Sequence, residues 1–298
     1  MTLWGGVEAG GTKFVCAVGT GPDDLRAEAR FATTRPGETL ARTVDFFRAA
    51  VREHGELDGL GIATFGPADV DPKSPTWGHI TTTPKAGWAG TDVAGTLGRE
   101  LGVPVAFDTD VNGAALGEQR WGAALGLDSC VYVTIGTGIG GGGLVAGELM
   151  HGLLHPEMGH INVPRHPEDT FEGLCPFHGD CLEGLASGPA IEARTGTPGG
   201  ELADDHPVWD IEAHYLTALA SNLTLILSPQ RLIFGGGVMQ RSRLYELVRR
   251  GLRRSLAGYL QVPEITEHMD RYLVAPRLGA RAGVCGAIAL ASRARTSL

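Results

Sequence analysis

The chain of 298 residues is 43% hydrophobic and 20% charged, with a mean hydropathy of zero, enough for a sizeable core and incompatible with a disordered chain or a small disulfide scaffold. Its 45 glycines, about twice the usual share, ask for tight turns and close backbone approach. A formal net charge of −9 disfavours a nucleic-acid partner, because a polyanion is repelled unless basic residues are concentrated in one patch.

In chain order, residues 3–18 read as strand, glycine turn, strand, with Glu8-Ala-Gly-Gly-Thr-Lys13 at the tip. The spacing is not that of a Walker loop, and no helix follows at once. Gly10, Gly11 and Thr12 can still aim backbone N–H groups and a hydroxyl at an anion, although a plain hairpin turn would use the same residues. The opening MTLWGGVEAGG has neither the basic nor the apolar region of a signal peptide. No apolar stretch is long enough for a membrane span, so the expected compartment is the cytoplasm and no membrane partner is expected.

Strands are expected over 57–64 and 103–107. They lead to Asp108-Thr109-Asp110-Val111-Asn112, where a helix should begin at about residue 110. Strand alternation would set Asp108 and Asp110 on one side, at the end of a strand where α/β ligand crevices lie. One carboxylate there could take a proton from a substrate hydroxyl; alternatively Asp110 or Asn112 simply caps the helix. Residues 131–145 repeat the opening pattern, with Gly136-Thr137-Gly138 at the tip. Two such tips suggest two jaws closing on one polyphosphate.

Cys175, His178 and Cys181, with His160 fifteen residues upstream, form the most distinctive cluster. Two thiolates and two imidazoles make a full tetrahedral set for zinc, with no position left for water, which points to a structural metal. A Cys175–Cys181 disulfide, disfavoured in a reducing cytosol, and unligated side chains are the rivals. A metal pinning this loop would also fix Glu157 and Glu183, which could then bind hydroxyls of a polyol. Cys16, Cys130 and Cys285 have apolar or small neighbours and read as reduced core thiols.

Helices are expected over 207–227, 242–256 and 280–293, and strands over 231–234 and 272–275. Arg249, Arg250, Arg253 and Arg254 fall on adjacent turns of the second helix and read as a solvated face. Gly235, Gly236 and Gly237 would let a flat ring approach the backbone, although a simple turn needs the same glycines. Strands alternating with helices argue for α/β layers, each half being a variant of one unit.

Together these pieces resemble the ROK family of repressors, open reading frames and kinases. The resemblance runs through EAGGTK, DTDVNGAALGE, TIGTGIGGG, EMGH with CPFHGDCLEG, and FGGGV, and so covers nearly the whole chain. It implies an α/β, two-lobed, actin-like and hexokinase-like (ribonuclease H-like) fold with an inserted zinc-binding loop. The expected lobes are 1–115 plus 280–298, and 116–279 with the zinc segment at 155–185. Within the family the chain is most similar to bacterial fructokinases, through GGVEAGGTKFVCAVG, FGPADVDPKSPTWGHITTTPKAGW and CPFHGDCLEGLASGPA.

By that resemblance Asp110 is the catalytic base. Gly10, Gly11, Thr12 and Lys13, with Gly136, Thr137 and Gly138, hold the ATP phosphates, and Gly235 to Gly237 lie against the adenosine. Asn112, Glu157, His160 and Glu183 contact the sugar, His160 being shared with the metal set of Cys175, His178 and Cys181. Lys85 belongs to the sugar loop, Glu8 to the Mg²⁺ site, and a homodimer is implied. The expected reaction is ATP- and Mg²⁺-dependent phosphorylation of the 6-hydroxyl of D-fructose, with mannose, glucose or N-acetylmannosamine as alternative hexoses.

Four positions depart from the family pattern. Glu8 stands where many members have Asp, so a Mg²⁺ contact there reaches one methylene further or runs through water. Thr109 and Lys85 stand where glucokinase-type members carry Asn, which argues against glucose. His178 replaces a third Cys in the zinc set. A sugar-sensing repressor is the rival from another class; it needs a helix-turn-helix domain ahead of the first hairpin, where only three residues precede Trp4.

Overall fold

The computed structural model describes residues 2–294. The chain divides into two compact units, one made of the chain up to Gly126, Leu149–Pro156 and the chain from Arg277 onward, the other of Leu127–Glu148 and Glu157–Pro276. In chain order the elements are β1 (Trp4–Ala9), β2 (Lys13–Gly21), β3 (Asp24–Ala32), α1 (Pro36–His54), β4 (Gly59–Thr64), α2 (Val93–Leu101), β5 (Val105–Thr109) and α3 (Asp110–Trp121). There follow β6 (Cys130–Ile135), β7 (Ile139–Val145), β8 (Glu148–Leu149), α4 (Leu182–Ala186), α5 (Gly188–Thr195), α6 (Val208–Leu227), β9 (Arg231–Gly235), α7 (Ser242–Leu256), α8 (Pro263–Thr266), α9 (Met269–Tyr272), β10 (Leu273–Val274) and α10 (Ala282–Ala294).

The first unit is built on a five-stranded sheet ordered β3-β2-β1-β4-β5. The meander β1–β2–β3 is antiparallel, and β1, β4 and β5 run parallel. The two faces of β1 serve different partners, as period-two alternation requires. Gly5 lies against Phe47 and Leu60, whereas Gly6 lies against Val284 and Ile288 of α10. Helix α1 starts with Pro36 in its first turn and buries Leu40, Val44, Phe47 and Ala50 at helical spacing. On the other face, α10 lies so close to the sheet and to α3 that a Cβ on Gly61 would overlap the Ala287 carbonyl and one on Gly286 the Gly113 carbonyl. Glycine is therefore the residue that permits this contact.

The second unit carries a five-stranded sheet ordered β10-β9-β6-β7-β8, with β6–β7 an antiparallel hairpin and β6, β9 and β10 parallel. In α7 the buried stripe is Leu244, Val248, Gly251, Leu252 and Leu256. Arg250, Arg253 and Arg254 are exposed, as a solvated face requires. Arg249 is different: its Nε donates to the Leu273 carbonyl at 2.9 Å.

The two expected hairpins and the later helices form close to their predicted places. Strand β3 and helices α1 and α2 were not anticipated, and the strand expected at 103–107 lies two residues further on. All of α3 belongs to the first unit, so the chain leaves that unit after the helix and not at residue 115, and residues 149–156 return to it. No helix among the described residues is long and apolar enough to cross a membrane.

Candidate active site

The junction of β5 and α3 departs from the expected strand alternation. The strand ends at Thr109 and the helix begins at Asp110, so the chain turns between the two carboxylates and they do not share a strand face. Asp108 is buried at 3% exposure, and Asp110 is only half-buried. Capping falls to neither residue proposed for it: Thr109 is the N-cap, its Oγ1 accepting the Asn112 N–H at 3.2 Å. Asp108 Oδ1 accepts the Thr109 N–H at 2.7 Å and the Asn112 side-chain N–H at 2.9 Å. Its Oδ2 lies 2.8 Å from His151 Nε2. The hydrogen bond to Asp108, aided by that carboxylate's charge, holds the His151 imidazole above its ordinary pKa against the opposing effect of burial. Asn112 is fully buried, and its side-chain N–H groups also reach the Met150 carbonyl at 3.3 Å.

In the same unit the tip Gly10–Lys13 closes on a Gly10 N–H to Lys13 carbonyl bond of 3.0 Å. The end of β3 braces it, because the Thr33 hydroxyl donates to the Gly10 carbonyl at 2.6 Å. Thr12 and Lys13 are exposed. Glu8, on the α10 face of β1, sets its carboxyl group against Gly283 and accepts the Val284 N–H. Burial pushes its pKa up, with Lys13, Arg30 and the Val284 N–H pulling the other way. Its Oε2 is buried without a hydrogen-bond partner among the described residues, and such a carboxylate oxygen fits a cation ligand. Lys85 is half-buried between β4 and α2, its backbone N–H bonded to the Thr83 hydroxyl at 3.3 Å.

The second unit gathers its expected phosphate and adenosine elements. Gly136-Thr137-Gly138 forms the β6–β7 tip with Thr137 exposed. Gly235 pairs with Thr134 at the end of β6. Gly236 has φ +91° and lies so close to Ile135 that a Cβ would overlap its carbonyl; only glycine holds the turn after β9 against the hairpin tip. Glu183, expected at the sugar, has Oε2 engaged by the Ile139 N–H at 2.9 Å, and its Oε1 is 4.0 Å from His160 Nε2. Glu157 is exposed and begins the short turn Met158–His160, which packs on β7 through Met158 against Gly141.

His160, Cys175, His178 and Cys181 converge, their donor atoms all lying within 4.8 Å of one another. His160 Nδ1 is 3.4 Å from Cys181 Sγ and 3.7 Å from Cys175 Sγ, and His178 Nδ1 is 3.5 Å from Cys175 Sγ. Zn–S and Zn–N bonds of ordinary length at a tetrahedral angle put N and S roughly 3.5 Å apart, so these four side chains fit zinc. The loop is tied by reciprocal backbone bonds between Cys175 and Gly179. All five cysteines are free, which removes the disulfide alternative.

Residues 4–294 match the ROK family. The chain belongs to it. A protein of Bacillus subtilis (strain 168), described provisionally as a fructokinase, is 47% identical over 98% of this chain and 96% of its own length. A fructokinase of Zymomonas mobilis is 45% identical over 97% and 96% respectively. The crystal structure of a ROK hexokinase from Thermus thermophilus superposes with a TM-score of 0.81 at 27% identity and full coverage of both chains. The ROK fold, hexokinase-like with two α/β units, is thus shared along the whole chain.

Within this ROK chain the sequence reading missed His151 and His155. His155 Nε2 accepts the Ala68 N–H at 3.1 Å, and His151 meets Asp108, so both pin residues 149–156 to the first unit. Their signal lies in HGLLHPEMGH, three histidines in ten residues beside the zinc loop, but their partners are far away in sequence.

Proposed function

We propose that this chain is a fructokinase, transferring the γ-phosphoryl group of ATP to the 6-hydroxyl of D-fructose. The observation that carries the reading is full-length identity above 40% to fructokinases. At the proposed base, Thr109 caps α3 and so relieves Asp110 of that task. Asp110 takes the hydroxyl proton and aligns the oxygen for attack. Gly10, Gly11, Thr12 and Lys13 and the tip Gly136-Thr137-Gly138 bind the triphosphate through N–H groups, hydroxyls and one ammonium, while Gly235–Gly237 admit the adenosine. Asn112, Glu157, His160 and Glu183 contact the sugar, with Lys85 in the sugar loop. Asn112 also secures Asp108, and Glu183 secures the phosphate tip.

Glu8 would contact Mg²⁺ at the position the resemblance implies, and its Oε2, buried without a hydrogen-bond partner among the described residues, fits that role. Bound Mg²⁺ would neutralise charge developing on the phosphates. Zinc held by His160, Cys175, His178 and Cys181 would be structural, fixing the loop that carries His160 and runs from Cys181 directly into α4, which carries Glu183. Cytoplasmic residence and a homodimer complete the reading. The test is a coupled assay of ADP release with fructose, in which Asp110→Asn must lower turnover by at least about a hundredfold without unfolding the chain.

A further inference from the structure

We propose that His151 is a substrate-contact residue, its Nδ1 pairing with a sugar hydroxyl other than the one that is phosphorylated. The inference rests on the kinase reading above and adds a residue to it. His151 leans on the first turn of α3 from outside. Its Nε2 meets Asp108 Oδ2 at 2.8 Å and comes within 3.4 Å of the Asn112 amide nitrogen. Asp108 and Asn112 stand two residues before and two after Asp110. A side chain tied to Asp108 and in contact with Asn112 therefore lies beside the strand-to-helix turn that carries the proposed base.

The hydrogen-bond inventory fixes which ring nitrogen is uncommitted. A carboxylate only accepts, so Nε2 carries the proton in the bond to Asp108, and the approach of the Asn112 amide, itself a donor, is a contact and not a second bond. The remaining nitrogen, Nδ1, has no hydrogen-bond partner among the described residues, and the side chain is 39% exposed where that of Asp108 is 4% exposed. Asp108 is in turn held by the Thr109 N–H and the Asn112 side chain. The imidazole is thus oriented by a buried, fully engaged carboxylate, and Nδ1 is the one ring nitrogen left uncommitted in a partly exposed side chain. A hydroxyl both donates and accepts, so it pairs with Nδ1 whether the ring is neutral or protonated.

A purely structural role for His151, tying residues 149–156 to Asp108, uses only Nε2. The two roles separate by substitution, because glutamine places an amide near the position of Nε2 and offers nothing at Nδ1. His151→Gln keeps the Asp108 tie and removes the proposed contact. The expected result is a native melting temperature, a rise in KM for fructose and a loss of about tenfold in kcat/KM, with kcat changed less. A panel of 1-deoxy-, 3-deoxy- and 4-deoxyfructose then locates the partner. One analogue should lose about tenfold with the wild type and nothing further with His151→Gln. Wild-type kinetics for His151→Gln, or equal losses for every analogue in both proteins, would overturn the proposal and leave the kinase reading intact. A wild type that phosphorylates no hexose would overturn both. His151→Phe, which also breaks the Asp108 tie, should lower the melting temperature where His151→Gln does not.

Discussion

Thr109 and Asn112 are joined by the capping bond of α3, Oγ1 of the first accepting the backbone N–H of the second at 3.2 Å. Helix capping is therefore not what requires a carboxylate at Asp110. Asp110→Asn is expected to retain the melting temperature of the wild type and to lose at least about a hundredfold in kcat, the scale of a missing general base. Calorimetry and the coupled ADP assay on the same preparation check both halves.

Zinc content is the second prediction. Protein purified without added metal should carry one zinc per chain, because the donor atoms of two cysteines and two histidines already lie within 4.8 Å of one another. Cys175→Ser should lower both the metal content and the melting temperature. A metal-free chain of undiminished stability would remove the site.

Glu118 makes a third, independent test. Its buried carboxylate accepts the N–H groups of Ala123, Arg277 and Leu278, the last two at 3.0 and 2.8 Å. It ties the end of α3 to the segment that leads into α10, over 150 residues later in sequence. Glu118→Ala removes the carboxylate acceptor of three partly buried N–H groups and should cost about 2 kcal/mol or more in unfolding free energy. Chemical denaturation measures it; a cost below about 1 kcal/mol would mean that water replaces the carboxylate.

A fourth prediction concerns pH. Glu212 in α6 is fully buried, and neither carboxyl oxygen has a hydrogen-bond partner among the described residues. Burial pushes its pKa well above the usual carboxylate range, the charge of Arg194 offsetting only part of this. A raised folded pKa means that the neutral form stabilises the fold below the unfolded value, and this contribution is lost as pH rises toward the folded value. Glu212→Gln, which cannot ionise, should therefore gain melting temperature over the wild type at pH 8 and show little gain at pH 4. An equal gap at both would contradict the titration.

What the sequence made legible was what it encodes within a few residues. The hairpin tips, the Cys-x₂-His-x₂-Cys cluster and the start of α3 all rest on short spacings, and the structure forms each of them. The Asp108–His151 pair was illegible because its members are 43 residues apart, and only the return of residues 149–156 to the first unit brings them together. The side-by-side arrangement expected of Asp108 and Asp110 failed for a local reason: Thr109 ends the strand and caps the helix, so period-two alternation stops before Asp110. Strand β3 escaped notice because DLRAEARFA keeps six of its nine residues half-buried and none fully buried, leaving no strong apolar period. Glu183 was read only as a sugar contact because nothing near it in sequence discloses that the Ile139 N–H needs an acceptor.

Substrate choice tests the central claim most directly. Thr109 is buried at 2% exposure with its hydroxyl committed to the cap. Short and buried, it does not offer the sugar ring the amide of the asparagine expected in a glucokinase-type site, and the Lys85 ammonium only donates. Hydroxyls left unpaired in a closed site cost about tenfold or more in specificity. The deciding measurement is kcat/KM by coupled ADP release for fructose, mannose, glucose and N-acetylmannosamine on one preparation. The account predicts fructose ahead of glucose by at least about tenfold, and glucose equal to or better than fructose would contradict it.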